Sequence, residues 1–312
     1  MLNIWLWLKP RGLDRVLDLM APKEVKEYYN FITASVSERT KLEKKLQAQE
    51  SQEKDMRKDM FHYLFEAKDP ETGGPAYSAQ ELDAEANLLI IAGSHTTAAT
   101  ICGLFFYITR NDRAYSRLVN EIRSTFKSVE EIRGGTTLSS CQYLRACIEE
   151  ALRMSPAGAG EFIREVQPGG LEVDGEFFPE GVQLGSSNWS LNYNEEIFLD
   201  ALVYRPERWI VDEKTAVTAE QVARAHSSFH PFSAGPDSCI GKNLALMELM
   251  ITIGKTLYRM DVRALPGDML GGGAPELGWG RRNRNQYQLR DAYISLRDGP
   301  MVQFRKCGLR ED

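Results

Sequence analysis

The chain has 312 residues, of which 43% are hydrophobic and 26% are charged, and its formal net charge is −6 at pH 7. This length suffices for one large domain or two smaller ones with a substantial core. The mild acidic balance lacks the basic excess that is typical of nucleic-acid binding, so no nucleic-acid partner is expected. Five irregularly spaced cysteines argue against a disulfide framework and for a reducing compartment. The absence of H-E-x-x-H and C-x-x-C patterns argues against a zinc site.

The first part of the chain predicts two helices after a short apolar segment. The opening M-L-N-I-W-L-W-L-K-P has an apolar run of about eight residues, shorter than the ~20 that span a bilayer, and it lacks the features of a signal peptide. We interpret it as a buried or interfacial segment. Residues 23–58 predict an amphipathic helix that gives way to an exposed loop from Glu43 onward. A short helix over Lys58–Lys68 and a loop over Asp69–Tyr77 follow.

A long helix is predicted from Ser78, which forms an S-x-x-E capping pattern with Glu81. No helix-breaking residue occurs before Asn111, so the expected length is about 32 residues, or about 48 Å. Residues 87–109 contain no Asp, Glu, Lys or Arg, so a transmembrane helix has to be considered. Polar groups are costly at the centre of a membrane, and we therefore expect a helix that threads the protein core. The polar residues at its centre are Ser94, His95, Thr96, Thr97 and Thr100.

The rest of the sequence predicts short helices and strands, so the fold is expected to be mainly α with a minor β portion. Helices are expected over Arg113–Phe126 and Gln142–Met154, and another from about Cys239 to Tyr258, whereas residues 192–238 are expected to be mostly irregular. Pro168-Gly169-Gly170 and Asp174-Gly175 are typical hairpin turns. Strands are predicted at Phe162–Val166, Leu171–Val173, Glu176–Phe178, Val182–Leu184, Gln286–Leu289, Ile294–Leu296 and Val302–Arg305.

One segment carries a specific chemical signal. Residues 229–245 read F-H-P-F-S-A-G-P-D-S-C-I-G-K-N-L-A, with the spacing Phe232-x-x-Gly235-x-x-x-Cys239-x-Gly241. A chance match in a chain of this length is on the order of one in a thousand. A cysteine that opens a helix is favoured as thiolate by the helix N-terminus, and a thiolate is an axial ligand of haem iron. The alternative is a buried cysteine that packs as a small hydrophobe.

Together with three other stretches, this segment resembles the cytochrome P450 family. Residues 229–245 resemble its haem-binding loop, and residues 92–97 (A-G-S-H-T-T) resemble its oxygen-activation segment. Glu150 and Arg153 match the E-x-x-R motif, and residues 204–209 (Y-R-P-E-R-W) resemble the P-E-R-F element. The resemblance, of fungal type, covers essentially the whole chain. It implies a single partial domain over residues 1–312, namely the C-terminal two-thirds of a cytochrome P450 fold that lacks its N-terminal part.

The resemblance implies a role for each matched residue at the haem. Cys239 is the expected metal ligand, Gly241 leaves room for the flat macrocycle, and Phe232 shields the sulfur, in a loop that contains Gly235. Arg164 resembles the arginine that binds a haem propionate; an exposed strand arginine is the alternative.

Further roles lie on the helices. Glu150 and Arg153 share a helix face and, with Arg208, are expected to be structural rather than catalytic. Gly93 and Thr96 would open a groove for dioxygen, and Thr96 would hold a water that delivers protons. Alternatively, the Thr96 hydroxyl bonds back to the carbonyl of Ala92.

Three features depart from the family pattern. His95 stands where the family usually has Asp or Glu; histidine can also relay protons near neutral pH. Asp237 stands where the family usually has Arg or His, and it would repel a propionate by roughly 4 kcal/mol at about 4 Å and an effective dielectric constant near 20. We therefore expect Asp237 to turn outward or haem to bind weakly, and Asp237→Arg to improve haem retention. The chain also looks shortened at its N-terminus, without the family's membrane anchor and part of its distal wall.

The resemblance implies a haem-thiolate monooxygenase that hydroxylates or epoxidises a small apolar molecule, with secondary metabolism as the expected setting. Dioxygen and electrons from an NADPH-dependent flavoprotein reductase, docking near Lys242, would be required. The pocket would include Ala92, Thr96, residues 157–162 and Tyr293. Two alternatives stay open: a catalytically silent relative with weak or no haem binding, and a haem-thiolate isomerase or dehydratase. Relatives sit on the endoplasmic reticulum membrane, whereas this chain, without the anchor, is expected to be cytoplasmic or membrane-peripheral.

Overall fold

The computed structural model describes residues 22–48 and 58–308. The apolar N-terminal segment and most of the loop predicted after the first helix lie outside these residues. The chain divides between Ala92 and Gly93 into two compact units.

The helices are α1 (Lys23–Ala48), α2 (Met60–Glu66), α3 (Ala79–Ile108), α4 (Asp112–Thr125), α5 (Thr136–Ser139), α6 (Gln142–Met154), α7 (Asn188–Asn192), α8 (Ala219–Ser227) and α9 (Lys242–Arg259). The strands are β1 (Arg164–Glu165), β2 (Leu171–Val173), β3 (Glu176–Phe178), β4 (Gln183–Leu184), β5 (Met260–Ala264), β6 (Leu289–Arg290), β7 (Leu296–Arg297) and β8 (Val302–Lys306).

These elements confirm the prediction of a mainly α fold with a minor β portion. Short 3₁₀ turns cover Pro206–Trp209, Glu213–Thr215 and Gly235–Asp237. The expectation that residues 192–238 are mostly irregular missed α8. Its start had a local signal, because Thr218 and Gln221 form a capping box in which each side chain accepts a hydrogen bond from the other residue's backbone N–H.

In the first unit, α1 continues to Ala48, so the prediction of a loop from Glu43 onward was wrong. Glu43 is buried, pairs with Arg39, and lies with one carboxylate oxygen 3.1 Å from Nδ1 of His62 on α2. Arg39 also donates two hydrogen bonds of 2.9 Å to Asp59, which accepts the backbone N–H of His62 at the start of α2. Glu43, where the loop was predicted to begin, therefore faces α2 rather than solvent.

The long helix α3 begins as the sequence predicts. The backbone N–H of Glu81 donates to Ser78 Oγ at 3.3 Å, and that of Ser78 donates to a Glu81 carboxylate oxygen at 2.7 Å. The helix ends at Ile108, slightly before Asn111.

Burial divides α3 along its length. Leu104, Phe106 and Ile108 are fully buried, whereas Leu88 is 58% exposed. The expectation that α3 threads the protein core therefore holds for its C-terminal part. By length and composition α3 is also long and apolar enough to cross a membrane, and 28% of its most apolar window is buried.

The core of the second unit is formed by the end of α3 with α4, α6 and α9. Leu118 and Ile122, four residues apart, place the apolar face of α4 toward this core. In α6 every residue from Ala146 to Met154 is buried, which makes it the central helix of the unit. The fully buried side chains from α9 are Ile253 and Leu257.

Within residues 22–48 and 58–308, the strands form four two-stranded antiparallel sheets. Strands β1 and β4 pair with Arg164 opposite Leu184, and β2 and β3 are joined at Asp174 and Gly175, which both have positive φ as the predicted hairpin turn requires. Strand β5, which the sequence did not predict, pairs with β8 from Met260–Lys306 to Ala264–Val302. Strands β6 and β7 complete the C-terminal part.

Candidate haem site

The segment that contains Cys239 forms an exposed loop held by backbone hydrogen bonds. The Cys239 N–H donates to the carbonyl of Phe232 at 2.9 Å, and the Ser238 N–H donates to that of Gly235 at 3.1 Å. Gly235 adopts φ +67°, a conformation that favours glycine. Phe232 packs against the core of the second unit, and the Cys239 thiol is exposed. The loop therefore has one anchored side and one open side.

The helix after this loop starts later than the sequence predicts. Gly241 is the N-cap residue and α9 begins at Lys242, so the expectation that Cys239 itself opens the helix was wrong. The Cys239 carbonyl accepts the N–H of Lys242, three residues further on, at 3.3 Å, so Cys239 lies in a turn before the helix. A Cβ on Gly241 would lie 3.7 Å from Cys239 Sγ, an ordinary van der Waals distance.

Two side chains singled out separately in the sequence, Arg164 and Asp237, meet in the structure. Arg164 Nε donates to Asp237 Oδ2 at 3.0 Å, and Arg164 Nη1 donates to the Ile163 carbonyl at 3.1 Å. Both side chains of this ion pair are exposed, Arg164 at 55% and Asp237 at 62%. Asp237 thus turns toward a cation on β1.

Glu150, Arg153 and Arg208 form one buried network between α6 and the 3₁₀ turn Pro206–Trp209. Arg153 donates to the two carboxylate oxygens of Glu150 at 3.0 and 2.8 Å. Arg208 Nε lies 3.0 Å from both of these oxygens. The backbone N–H of Arg205 and Nε1 of Trp209 donate to the same carboxylate at 2.9 and 3.0 Å.

The arginines also bind backbone carbonyls around the network. Arg153 Nη1 donates to Asn192 O at 2.7 Å, and Arg208 Nη1 donates to Leu199 O at 2.9 Å. Burial alone would raise the pKa of Glu150, but the charges of Arg153 and Arg208 outweigh it and lower that pKa to about 2. Glu150 is therefore ionised throughout the neutral range, and its oxygens are fully used as acceptors.

Glu207 is a second buried carboxylate, and the sequence reasoning did not identify its partners. Tyr143 Oη donates to Glu207 Oε1 at 2.9 Å, and Arg113 and Arg117 pair with the carboxylate at 3.1 and 3.5 Å. Burial raises the pKa of the Tyr143 phenol, so this group stays a donor. The sequence signal was the P-E-R-W stretch itself, in which Glu207 lies beside Arg208.

The middle of α3 combines open space with hydroxyl groups. A Cβ on Gly93 would meet no atom within 4 Å, and His95 is exposed. Thr100 Oγ1 donates back to the Thr96 carbonyl at 3.1 Å. Thr97, not assigned a role from the sequence, has a buried Oγ1 for which no hydrogen-bond partner lies among the described residues. Such a group requires a water or a ligand as its partner.

Two stretches predicted to line a pocket come together in the second unit. The rings of Phe162 and Tyr293 form an edge-to-face contact with centroids 6.4 Å apart, and the Ser295 N–H donates to Ala157 O at 2.7 Å. A nearby open pocket of about 300 Å³ includes Ala159, Gly160, Trp189, Arg281, Leu289 and Asp291 in its lining.

These residues fit a haem at the Cys239 loop. A cysteine thiolate is one of the side chains that bind haem iron as an axial ligand, and the exposed thiol of Cys239 could supply it. A Cβ on Gly235 would meet no atom within 4 Å, so space is open beside the loop. A propionate requires a cation, and Arg164 is joined to the same loop through Asp237.

Comparison with known proteins identifies the family. A family model described as Cytochrome P450 matches residues 11–271. The chain therefore belongs to the cytochrome P450 family, whose members in general use a haem iron, dioxygen, a small substrate and a redox partner.

Relatives of the chain are fungal proteins. Cytochrome P450 monooxygenase fscF from Fusarium equiseti is 40% identical over 281 residues, which cover 90% of this chain and 51% of the relative. Cytochrome P450 monooxygenase apf7 from Gibberella fujikuroi is 39% identical over 304 residues, which cover 96% of this chain and 55% of the relative. The chain thus spans about half the length of these curated relatives.

The fold also matches a solved structure. A crystal structure of a cytochrome P450, CYP102L1, superposes with a TM-score of 0.64 at 19% identity and covers 89% of this chain and 56% of that chain. The prediction of a cytochrome P450 fold is confirmed.

Proposed function

We propose that this chain is a haem-thiolate monooxygenase that hydroxylates or epoxidises a small apolar molecule in secondary metabolism, and that both compact units belong to one cytochrome P450 domain. The observation that carries the proposal is the exposed Cys239 thiol in a loop fixed by the bond from its N–H to the Phe232 carbonyl. Family membership and the monooxygenase names of the fungal relatives support the same reaction.

The Cys239 loop would hold the cofactor. Cys239 would bind the iron as thiolate, Phe232 would shield the sulfur from water, and Gly235 and Gly241 would leave room for the macrocycle. Arg164 would bind a propionate. When bound, the haem supplies the activation of dioxygen. The protein contributes the ligand, the orientation and the exclusion of water around it.

The middle of α3 would supply protons. Gly93 leaves open space along the helix, Thr96 would hold a water, and exposed His95 would relay protons from solvent. The unpartnered Oγ1 of Thr97 supports a water at this position. Glu150, Arg153 and Arg208 would act only structurally, by fixing residues 199–209 against α6.

We infer the contacts of the substrate and of the redox partner from side chains around the proposed haem site. Residues 157–162 and Tyr293, which touch through Phe162, would contact an apolar substrate. Exposed Lys242, close to Cys239 in sequence, would attract an NADPH-dependent flavoprotein reductase. By its family membership we place the protein at the endoplasmic reticulum membrane, where such a reductase would be accessible.

The decisive measurement is the spectrum of the reduced protein with carbon monoxide. A red-shifted Soret band of thiolate-ligated haem is expected in the purified chain and is expected to be lost in Cys239→Ala. Cys307→Ala is the matched control, because Cys307 is another partly accessible free thiol, and it should retain the band. A folded protein without haem would refute the proposal.

A catalytically silent relative with weak or no haem binding is the second candidate. The bond from Arg164 to Asp237 favours it, because this cation already has an anionic partner. The same spectrum separates the two candidates: a silent relative would lack the red-shifted Soret band of thiolate-ligated haem even when haem is added in excess.

A further inference from the structure

The ion pair between Arg164 and Asp237 links the candidate haem loop to the sheet beside it. Arg164 belongs to β1, where it pairs with Leu184 of β4, and Asp237 ends the 3₁₀ turn that leads into Cys239. The two charges are 73 positions apart in sequence, and Nε lies 3.0 Å from Oδ2. The carboxylate therefore contacts the cation that would otherwise serve an anion of a bound cofactor.

Some of the N–H groups of Arg164 already donate hydrogen bonds within the protein. Its Nε donates to Asp237 and one of its terminal nitrogens donates to the Ile163 carbonyl. A guanidinium binds a carboxylate most strongly when two neighbouring N–H groups act together. An incoming propionate would have to displace Asp237 or accept fewer hydrogen bonds in the presence of a second negative charge.

We propose that Asp237 is a resident anion that competes with a haem propionate for Arg164, so that this ion pair lowers the affinity of the loop for haem. This inference rests on the proposed haem function. It also makes Asn a sharper replacement than Arg, since Asp237→Arg would introduce a second cation against Arg164 and change two interactions at once.

The test compares haem release from wild type and Asp237→Asn. Both proteins are reconstituted with haem or with haem dimethyl ester, whose propionates carry no charge, and release is followed as transfer to apomyoglobin. We expect haem to leave Asp237→Asn about fivefold more slowly, as for one exposed charge contact. The dimethyl ester should leave both proteins at the same rate. Asp237→Ser removes the same charge with a smaller side chain and should behave like Asp237→Asn.

A matched control comes from another exposed pair. Arg290 and Asp298 lie 3.4 Å apart with exposures of 59% and 64%, close to those of Arg164 and Asp237. Asp298→Asn should leave haem release unchanged. In an Arg164→Gln background the slowing of haem release by Asp237→Asn should be smaller, because no arginine is left to compete for. If Asp237 only repelled the propionate directly, the slowing would be the same with or without Arg164.

The outcomes separate this proposal from the proposed function. Three results would overturn the competition while leaving the haem function intact. Wild type and Asp237→Asn could release haem at the same rate, or Asp237→Asn could slow the release of the dimethyl ester as much as that of haem. The effect of Asp237→Asn on haem release could also be undiminished in the Arg164→Gln background. Haem binding by Asp237→Asn alone would support it. The absence of haem from every variant would overturn both.

Discussion

Two arginine–carboxylate contacts of similar length occupy opposite environments in the second unit. Arg153 meets Glu150 at 2.8 Å with both side chains fully buried, whereas Arg164 meets Asp237 at 3.0 Å with both exposed. Water and salt weaken an exposed pair, but a buried pair keeps its full interaction and depends on it, because an unpartnered buried charge is costly. Distance alone therefore says little; burial decides which pair maintains the fold and which can adjust to a ligand.

Breaking the buried network should give the largest effect. In Glu150→Ala, the guanidinium groups of Arg153 and Arg208 would stay buried without their carboxylate. We expect a loss of about 3–5 kcal/mol in the free energy of unfolding, measured by urea denaturation. Asp298→Ala is the control, because Asp298 pairs at 3.4 Å with Arg290 and both side chains are exposed, and it should cost about 1 kcal/mol or less. Similar losses in the two variants would contradict the role of burial.

Acid should weaken the network in a defined range of pH. The pKa of Glu150 is lowered from 4.5 to about 2, so its ionised form contributes stability above pH 4.5 that is lost as the pH falls toward 2. The difference in unfolding free energy between wild type and Glu150→Gln should therefore shrink by about 2 kcal/mol between pH 5 and pH 3. Urea denaturation of both proteins at pH 5, 4 and 3 measures this; a difference that stays constant would rule out the lowered pKa.

The sequence predicted those features that depend on neighbouring residues. The Ser78–Glu81 capping pattern fixed the start of α3, and the Asp174-Gly175 turn located the β2–β3 hairpin. The ordered motifs predicted the family, which the family model and the relatives confirm. Local patterns succeed here because the capping and turn geometry involves only a few consecutive residues.

Features that depend on distant partners were missed. The extension of α1 past Glu43 places this residue against His62 on another helix, and the loop before α9 is closed by a bond from Cys239 back to the Phe232 carbonyl. Asp237 was recognised as unusual, but its contact with Arg164 joins residues that no local pattern relates. The assigned roles of the haem-site residues stay predictions, since they concern a ligand and a reaction.

Buried and exposed positions also differ along α3, where the two glycines have different surroundings. A Cβ on Gly103 would lie 2.7 Å from both Cβ and Oγ of buried Ser155, whereas one on Gly93 would meet nothing within 4 Å. Gly103→Ala should therefore cost about 1–3 kcal/mol of stability through overpacking. Gly93→Ala should be neutral or stabilise the helix by roughly 0.5–1 kcal/mol, since alanine favours helix. Thermal unfolding of both variants tests this, and equal losses would contradict the packing difference.

The exposed pair should show the smallest effect on stability. Without haem, Asp237→Asn removes one carboxylate from Arg164, and because both side chains are more than half exposed, the unfolding free energy should change by at most about 1 kcal/mol. That change should disappear at about 1 M salt, where the screening length falls to about 3 Å. The loss caused by Glu150→Ala should persist under the same conditions, because the buried carboxylate is inaccessible to salt. Urea denaturation of the haem-free variants at low and high salt measures both. A large, salt-resistant effect of Asp237→Asn would mean that Arg164 and Asp237 hold the loop as firmly as Glu150 holds its arginines, and the pair could not then yield to a propionate.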